Sequence, residues 1–511
     1  MPNSKSLYIT TPIFYPNDFL HLGHAYTMVI ADVIARYKKS IGYDVYFQTG
    51  SDEHGEKIEK KAKSLSLSPK ELVDKNILPF KDLWKSLNIS EHFFYRTSSV
   101  EHIKKSQETF SNLLKSGDIY LGEYEGDYCV SCEDYITGLK AEKKEDNKCP
   151  FCKSELKKIK EKAYFLKVTK YYQFLIEYYK NNPDFILPER VKKEMSENFL
   201  KDDARDLCIS RRDIKWGIPV PNDEDFVIYV WFEALLNYCN STNGKKSFKD
   251  TNEEIVQIIG KDISRFHCIY WPIVLKMIGL RMPNKIISHG WILSRGEKMS
   301  KSKGNVINPF DLLKKYHKDV LRIYFLSKIN FLQDGILDEE LLKNFYQDFF
   351  VNNLGNLISR TNKMLHLYRE GVIPSFEEND ELDKHRESES IINEFEKSMN
   401  SYKLTQSFNI IQEIINSTNK LISDFSPWEI FKQEKTEKSK KNLLDQVINL
   451  LFNRIKLIAY LINFFAPETS EKIFKSIGIK KNEINKLEVI SKKFLDGKKI
   501  SSLENHLYNN L

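Results

Sequence analysis

The chain has no long hydrophobic run. Among its 511 residues, the densest apolar stretch near the C-terminus is LIAYLINFFAP, and these 11 residues (457–467) are about half of what a membrane-spanning helix needs. The N-terminal MPNSKSLYITTPIFY also lacks the basic region, long apolar stretch and small-residue cleavage site of a secretory signal. We therefore predict no membrane partner and a cytoplasmic location.

Cysteine is scarce, and none of the 7 cysteines precedes Cys129. Four of them follow the pattern C-x2-C-x16-C-x2-C, whose spacing suits tetrahedral zinc: Cys129, Cys132, Cys149 and Cys152. Four thiolates fill the coordination shell of the metal, so we predict one structural zinc ion with no open position for a substrate. Two disulfides are the alternative, which the lack of an export signal disfavours.

Charge of neither sign dominates. The chain has 78 Lys and Arg against 71 Asp and Glu, a net charge of +7, 41% hydrophobic residues and 29% charged residues. This composition excludes a disordered or fibrous protein. The mildly positive charge is compatible with a polyanionic partner but does not establish one.

Strands and helices alternate in the first part of the chain. SLYITTPIFY (6–15) and DVYFQTGSD (44–52) predict strands that are each followed by a helix. The alternation returns after a segment of short strands and turns, in FVIYVWFEALLNY (226–238), IVQIIGKD (255–262) and NKIISHGWI (284–292). After about residue 345 the pattern is nearly all helical, with solvated loops predicted at 372–388 and 432–441.

We therefore predict an α/β fold in which a Rossmann-type parallel sheet is split by an inserted zinc-knuckle domain and followed by an all-α domain. The predicted limits are 1–115 and 226–295 for the two halves of the parallel-sheet domain, 116–225 for the insertion, 296–345 for a connecting region and 346–511 for the helical domain.

The stretch FLHLGHAYTMVIADVIARY (19–37) places His21, Gly23 and His24 at the start of a predicted helix. A helix N-terminus presents unpaired amides and a positive dipole end, and a glycine lets a phosphate approach the backbone. Imidazoles donate hydrogen bonds to phosphate oxygens without a permanent full charge. The turn taken alone fits either a phosphate-binding corner or two turn histidines without a ligand.

A second stretch, RGEKMSKSKGN (295–305), presents Lys298 and Lys301 in a loop bounded by glycine and serine. Two ammonium groups at this spacing suit a triphosphate. A solvated basic loop is the alternative.

Together, HLGH and the downstream KMSKS resemble the paired signatures of class I aminoacyl-tRNA synthetases, whose catalytic fold is split by an insertion. The similarity extends along nearly the whole chain to methionyl-tRNA synthetases. The blocks TTPIFYPNDFLHLGHAYT, TGSDEHG, SRRDIKWGIPVP, YVWFEALLNY, GKDISRFHCIYWP and HGWI resemble that family's blocks, in its order. The resemblance implies activation of L-methionine by ATP to methionyl-adenylate, with release of pyrophosphate, and then transfer to the terminal ribose of tRNA(Met).

The resemblance also implies the ATP-binding residues, which are His21, Gly23, His24, Lys298, Ser300 and Lys301. The two histidines and the two lysines are the expected catalytic residues, with the lysines closing over the leaving pyrophosphate. Magnesium is expected with the ATP, held mainly by phosphates and water, because no carboxylate pair identifies protein ligands. The zinc-bearing insertion is expected to help position the tRNA acceptor end.

A methionine site follows from the same resemblance. Asp52 would pair with the α-ammonium group, and Arg211 would lie near the reacting groups. The other residues form an apolar and aromatic set that suits a thioether: Ile13, Tyr15, Trp231, Leu235, Tyr238, Ile263, His267 and Trp271. We predict that the Tyr15 hydroxyl and a His267 N–H donate to the sulfur. Taken singly, each of these residues also fits ordinary core packing, and Asp52 fits a helix N-cap.

Two positions depart from the family pattern. Leu22 replaces the isoleucine of the commonest first signature, a volume-conserving change. Glu233 stands in VWFEAL where the family usually has aspartate, and the added methylene changes what its carboxylate reaches.

The helical region carries NLGNLISRTN (353–362) and FSPWEIF (425–431), which resemble the family's anticodon reader. Asn356 and Arg360 lie four apart on one helical face and would read base edges, while Trp428 would stack on an unpaired base. A helix-surface arginine and a core tryptophan are the alternatives. The chain ends soon after this region, so we expect it to lack the dimerising module of some relatives and to be a monomer.

Other proteins share parts of this pattern. Synthetases for isoleucine, valine and leucine carry a large editing insertion, and the segment between His21 and Lys298 is too short for one. The cysteine enzyme has a zinc ligand before the first signature, where this chain has no cysteine. A nucleotidylyltransferase would be much shorter, and a zinc-ribbon RNA-binding protein would not need the retained histidines and lysines.

Overall fold

The computed structural model describes residues 5–16, 20–129, 134–136, 147–150, 153–200, 205–212, 214–299, 305–378, 380–383, 385, 388–480, 483–503 and 507–508. The chain divides into two compact units, Met1–Trp291 and Ile292–Leu511.

The first unit contains most of the strands. They are β1 (Ser6–Phe14), β2 (Asp44–Ser51), β3 (Phe93–Arg96), β4 (Ile119–Cys129), β5 (Asp134–Ile136), β6 (Lys157–Leu166), β7 (Ile186–Leu187), β8 (Leu207–Cys208), β9 (Ser210–Arg211), β10 (Ile218–Val220), β11 (Asp223–Ile228), β12 (Glu253–Gly260) and β13 (Lys285–His289). Its α-helices are α1 (Leu22–Ser40), α2 (Glu56–Ser64), α3 (Pro69–Asn76), α4 (Leu78–Ser86), α5 (Val100–Lys115), α6 (Tyr172–Asn181), α7 (Glu189–Phe199), α8 (Val230–Asn240), α9 (Thr242–Ser247) and α10 (Trp271–Met277). Short 3₁₀-helices cover Thr169–Tyr171 and Lys261–Ile263, and a π-helix covers Phe266–Tyr270.

A parallel sheet of six strands, in the order β3-β2-β1-β12-β13-β7, forms the centre of this unit. Strand β1 pairs with β2 on one side and with β12 on the other, so strands from before and after the insertion share one sheet. Parallel strands need crossover helices that cover both faces, which is why β1 is buried along most of its length. The predicted split parallel sheet is confirmed.

The segment between these halves forms its own antiparallel sheet, β5-β4-β6-β8, with β4 and β6 paired from Ile119↔Leu166 to Tyr128↔Lys157. A smaller sheet, β10-β11-β9, follows it. Strand β7 also comes from this segment, yet it pairs in parallel with β13 at the edge of the central sheet.

The second unit begins with a three-stranded sheet of β14 (Ile292–Ser294), β15 (Glu297–Lys298) and β16 (Gly335–Ile336). Its α-helices are α11 (Pro309–Lys315), α12 (Lys318–Ser327), α13 (Glu339–Phe345), α14 (Asn356–Arg369), α15 (Asp380–Asp383), α16 (Ser388–Asn400), α17 (Leu404–Phe425), α18 (Pro427–Gln433), α19 (Lys438–Ile462), α20 (Pro467–Ser476) and α21 (Lys486–Ile490). A π-helix, Tyr346–Gly355, leads directly into α14.

The helical prediction for this unit is confirmed, and helix α17 shows why it was possible. Its apolar residues recur on one side, and that side is buried: Phe408, Ile411, Ile414, Ile415 and Leu421. Both predicted loops are wrong in part. Asp380–Asp383, within 372–388, form α15. Within 432–441, the first two residues end α18, and Lys438 to Lys441 form the first turn of α19. Lysine is a good helix former, and the apolar residues that follow supply the burial that stabilises the helix. In the part of the chain that the structure describes, no helix meets the length and apolarity needed to cross a membrane.

Candidate functional site

The carboxyl edge of the central sheet carries part of the predicted site of the first unit, and β9 and α8 carry the rest. Strand β1 leads to Tyr15 and the HLGH turn, β2 leads to Asp52, β12 to Ile263 and β13 to His289. Because parallel strands point the same way, the loops that follow them lie at one edge, where α/β sheets bind ligands.

The HLGH turn is a helix cap built from imidazoles. His21 is the N-cap of α1, and its Nδ1 accepts a hydrogen bond from the Gly23 amide at 3.1 Å. His24 reaches back, and its Nδ1 accepts from the His21 amide at 3.2 Å. The two rings thus act as the Ser and Glu of an ordinary capping box and stack with centroids 3.9 Å apart.

This cap fixes the protonation of both rings. Each Nδ1 accepts a hydrogen bond, so each neutral ring carries its proton on Nε2, which makes that atom the donor. Burial lowers the pKa of His24 well below its usual value, and His21 lowers it further. Phe14 and Phe80 pack against the His24 ring. The turn therefore presents neutral N–H donors at a helix N-terminus, as the phosphate interpretation requires.

Gly23 has a steric role in the same turn. A Cβ at this position would lie 2.8 Å from Cε1 and 2.9 Å from Nδ1 of His21, which is closer than real contacts allow. The glycine therefore makes room for the capping imidazole as well as for a ligand.

Asp52 follows β2 and is buried, and its amide donates to the Phe14 carbonyl at 2.9 Å. The next residue, Glu53, is fully buried and forms a two-pronged ion pair with Arg96, at 2.7 and 2.9 Å. Ser98 also donates to Glu53. Neither Glu53 nor Arg96 was predicted from the sequence, although Glu53 lies in TGSDEHG. Arg96 is 43 residues further along the chain and gave no local signal.

Glu233 lies at the centre of a second buried network. Its two carboxylate oxygens accept from His54 Nδ1 at 2.8 Å and from His102 Nε2 at 2.6 Å. The Asn240 side-chain amide donates to His102 Nδ1 at 3.2 Å. Burial would raise the pKa of Glu233, but the two histidines outweigh burial and hold the pKa below its usual value. The longer side chain at this departure from the family pattern thus bridges two imidazoles.

The predicted methionine residues include a hydrogen-bonded pair. Tyr238 Oη lies 2.7 Å from His267 Nε2, and His267 Nδ1 lies 3.1 Å from the Ile263 carbonyl. Burial lowers the pKa of His267 to about 4, against the opposing effects of the Ile263 carbonyl and Asp262. The neutral ring therefore donates from Nδ1 to Ile263 and accepts from Tyr238 at Nε2. In this arrangement the His267 N–H faces the Ile263 carbonyl, and its predicted role as a donor to the sulfur stays a prediction.

Aromatic rings surround this pair. Trp271 is fully buried and lies 5.6 Å from the Tyr238 ring, measured between centroids. Trp231 is part-buried and stacks on Phe266 at 4.1 Å between ring centroids, a contact that was not predicted from the sequence. Leu235 is buried on α8. Ile13 and Tyr15 are part-buried at the end of β1, and Tyr15 packs against the cluster formed by Ile58, Ala62, Leu72 and Val73.

Arg211 is distinguished from its neighbour Arg212 by position. The Arg211 guanidinium lies 3.9 Å from the centroid of the Tyr128 ring and lines a cavity of about 20 Å³ that His54 and Trp216 share. Arg212 is exposed and pairs with Asp225 at 2.8 Å. Of the two arginines, Arg211 is the less exposed one and the one that lines this cavity.

The KMSKS stretch belongs to the second unit. The backbone of Lys298 pairs with that of Leu293 in the hairpin of β14 and β15. Ser300 and Lys301 lie outside the described residues. Their predicted roles, and that of Lys298, stay predictions.

Two of the four predicted zinc ligands are described. Cys129 ends β4, and Cys129 and Cys149 are fully buried in one cluster with Leu156. Cys132 and Cys152 lie outside the described residues. No group of three or more metal-binding side chains occurs among the residues whose positions the structure gives, so the zinc site stays a prediction.

The predicted anticodon residues lie on two helices of the second unit. Asn356 is exposed and Arg360 is part-buried on α14, and Trp428 is 39% exposed on α18, which excludes the core-tryptophan alternative. Tyr368 of α14 stacks on Phe431 of α18 at 4.3 Å and so joins the two helices. Beside them, the Asn353 side chain bonds Asn416 and Asn419, at 2.7 Å each.

Known proteins resemble this chain along nearly its whole length. The family described as tRNA synthetases class I (M) matches residues 7–158 and 137–362, and the anticodon binding domain of methionyl tRNA ligase matches residues 375–507. The methionine–tRNA ligase of Clostridium tetani is 42% identical over 93% of this chain and 74% of its own length. That of Ureaplasma parvum is 41% identical over 93% of each.

A solved structure agrees with these matches. Mycobacterium tuberculosis methionyl-tRNA synthetase in complex with methionyl-adenylate has a TM-score of 0.90 and 30% identity, over 97% of this chain and 98% of that one. With the sheet, the capping imidazoles and these matches taken together, the chain belongs to the methionyl-tRNA synthetase family of class I aminoacyl-tRNA synthetases.

Proposed function

We propose that this protein is a methionine–tRNA ligase. It activates L-methionine with ATP to methionyl-adenylate, releases pyrophosphate, and transfers the methionyl group to the 3′-terminal ribose of tRNA(Met) for translation. The observation that carries the proposal is the imidazole capping box at the carboxyl edge of the sheet, within a chain that belongs to this family. Its place in translation supports the predicted cytoplasmic location, and the monomeric state stays a prediction.

In the activation step, the methionine carboxylate attacks the α-phosphate of ATP and pyrophosphate leaves. The phosphorus and the leaving group gain negative charge in the transition state. Donors that are already in place stabilise this state more than the ground state, because they need no reorganisation. We assign this role to the Nε2–H groups of His21 and His24, with Gly23 allowing close approach. Lys298, Ser300 and Lys301 act on the leaving pyrophosphate, and Mg²⁺ enters with the ATP.

The methionine site is assigned to the cluster around Tyr238 and His267. Asp52 pairs with the ammonium group and Arg211 faces the carboxylate side. Trp231, Leu235, Ile263, Trp271 and Ile13 supply apolar walls. The Tyr15 hydroxyl and the His267 N–H are the donors proposed for the sulfur, and Tyr238 contacts the other ring nitrogen of His267.

The test is ATP–pyrophosphate exchange on the purified chain, with each of the twenty amino acids separately and no tRNA. Exchange that depends on methionine alone is the expected result. Exchange with another amino acid would keep the class of enzyme and overturn the pocket assignment. Absence of exchange on folded, zinc-loaded protein would favour an RNA-binding protein without activity.

A structural zinc ion in the insertion is part of the proposal. The fully buried Cys129 and Cys149 fit it, and the Lys153 amide closes the turn after Cys149 by donating to the Cys149 carbonyl at 2.9 Å. We expect elemental analysis to find one zinc ion per chain. Cys149→Ser should lose this zinc, and the control Cys239→Ser should keep it. Two disulfides would instead give no zinc and four missing thiols in the denatured chain.

The anticodon face is assigned to Asn356, Arg360 and Trp428. Stacking of a base on an aromatic side chain contributes about 1–3 kcal/mol, so Trp428→Ala is expected to lower kcat/KM for tRNA charging roughly 5- to 150-fold. Pyrophosphate exchange without tRNA should stay unchanged. Leu487→Ala, which removes a side chain that is 76% exposed on α21, is the control and should affect neither assay. Equal loss in both assays would contradict the assignment.

A further inference from the structure

His289, in the block HGWI, lies at the end of a hydrogen-bonded chain that reaches the HLGH turn. Its Nδ1 is 2.8 Å from the Gly290 carbonyl, and its Nε2 is 2.7 Å from Thr27 Oγ1. The Thr27 hydroxyl donates to the Gly23 carbonyl at 3.0 Å. These hydrogen-bond contacts thus connect the loop after β13 to the glycine of the proposed phosphate-binding turn, and all of them lie within the first unit.

The number of protons available for these three hydrogen-bond contacts depends on the charge of His289. Both ends are carbonyl oxygens, which only accept, so three contacts need three protons. A neutral imidazole and the threonine hydroxyl supply two of them. One contact is therefore unfilled when His289 is neutral, and all three become hydrogen bonds only when His289 is an imidazolium ion.

The surroundings of His289 favour its neutral state. The ring is only 5% exposed, and burial lowers its pKa, against the opposing effects of the Gly290 carbonyl and Asp262. Tyr26 packs edge-on against it from α1, at 5.1 Å between ring centroids. Lys261, the other charged group on this side, lies over the Trp291 ring at 3.8 Å. The Gly290 carbonyl and the Asp262 carboxylate favour the imidazolium form, and burial outweighs them.

A bound triphosphate adds several negative charges at the start of α1, next to Gly23. Negative charge in a poorly solvated site favours the protonated form of a nearby histidine. We infer that His289 is a positioning residue that takes up a proton when ATP binds, completes the hydrogen bonds through Thr27 to Gly23, and so holds the phosphate-binding turn. This inference rests on the proposed role of that turn in ATP binding.

Calorimetric titration tests this directly. The Mg²⁺ complex of α,β-methylene ATP is titrated into the full chain at pH 7 in PIPES and in Tris, whose ionisation enthalpies differ. The wild type is expected to take up more protons per bound nucleotide than His289→Gln, by up to one. Thr27→Val should lose the same uptake, because valine offers no acceptor for the Nε2–H that protonation of His289 adds. His92→Gln, at a part-buried histidine whose partner is the Ser90 carbonyl, is the matched control.

The pH dependence separates this role from a purely structural one. A proton taken up on binding makes affinity fall as pH rises, by at most about tenfold per pH unit. We expect this slope between pH 6 and 8 to be smaller in both variants than in the wild type. Equal proton uptake in the wild type and both variants would overturn the inference. Absence of nucleotide binding by the wild type would instead overturn the proposed function.

Discussion

His21→Ala is expected to lower methionine-dependent pyrophosphate exchange about 100-fold. The alanine removes an Nε2–H donor that is oriented by its own cap, and one such donor to a developing charge contributes about 10²–10³ in rate. Methionine binding should stay near normal, because the methionine residues lie on other elements. The rate is measured by exchange and the binding by calorimetry with methionine alone.

The same substitution also removes the N-cap of α1, which contributes about 1 kcal/mol to stability. His21→Ser separates the two effects, since serine caps a helix well and its hydroxyl is too short to reach the position of Nε2. We expect His21→Ser to recover stability but not rate. An unchanged rate in His21→Ala, or a wild-type rate in His21→Ser, would refute the assignment.

Glu233→Ala is expected to destabilise the first unit by about 2–6 kcal/mol, because each of the two buried imidazole N–H groups left without an acceptor costs about 1–3 kcal/mol. His54 and His102 would both lose their acceptor in a site where water does not replace it. Glu233→Gln is the matched variant, because its amide keeps the shape and still accepts one hydrogen bond. Glu233→Gln should lose less stability than Glu233→Ala. Guanidinium unfolding measures both.

The dependence of the free energy of unfolding on pH in the acid range gives a second test of this network. The folded chain holds the pKa of Glu233 below its usual value, so the ionised carboxylate stabilises the fold above about pH 4.3, the unfolded value. That contribution is lost as the pH falls through the folded pKa. Glu233→Gln should lack this part of the pH dependence. Equal stability of the wild type and Glu233→Ala, or equal losses in the alanine and glutamine variants, would contradict the network.

Local sequence patterns were enough to predict much of the fold. The apolar runs that became β1, β2, β12 and β13 are buried strands of one parallel sheet, as predicted. The amphipathic stretch that became α17 buries the predicted side. Both patterns are short-range consequences of which side chains avoid water. The start of α19 was missed because its charged residues look like a solvated loop when the apolar residues after them are not considered.

Contacts between residues that are far apart in sequence could not be predicted from local patterns, as the residues around the site show. Thr27 and His289 are far apart in sequence, as are Glu53 and Arg96, and each pair meets only because neighbouring elements of the unit come together. The tautomers of His21, His24 and His267 depend on which carbonyls and amides surround each ring. His267 illustrates this, because its Nδ1 faces the Ile263 carbonyl and its Nε2 faces Tyr238 in the fold.

The sequence by itself determined the alternation of elements, the family, and the residue types that the chemistry needs, because these depend on local side-chain pattern and on the order of motifs. Only the tertiary structure decided which side chains from distant segments pair with one another and which carboxylates are buried. Those properties arise from contacts between distant segments in a poorly solvated interior, where one hydrogen bond more or less changes the charge of a group.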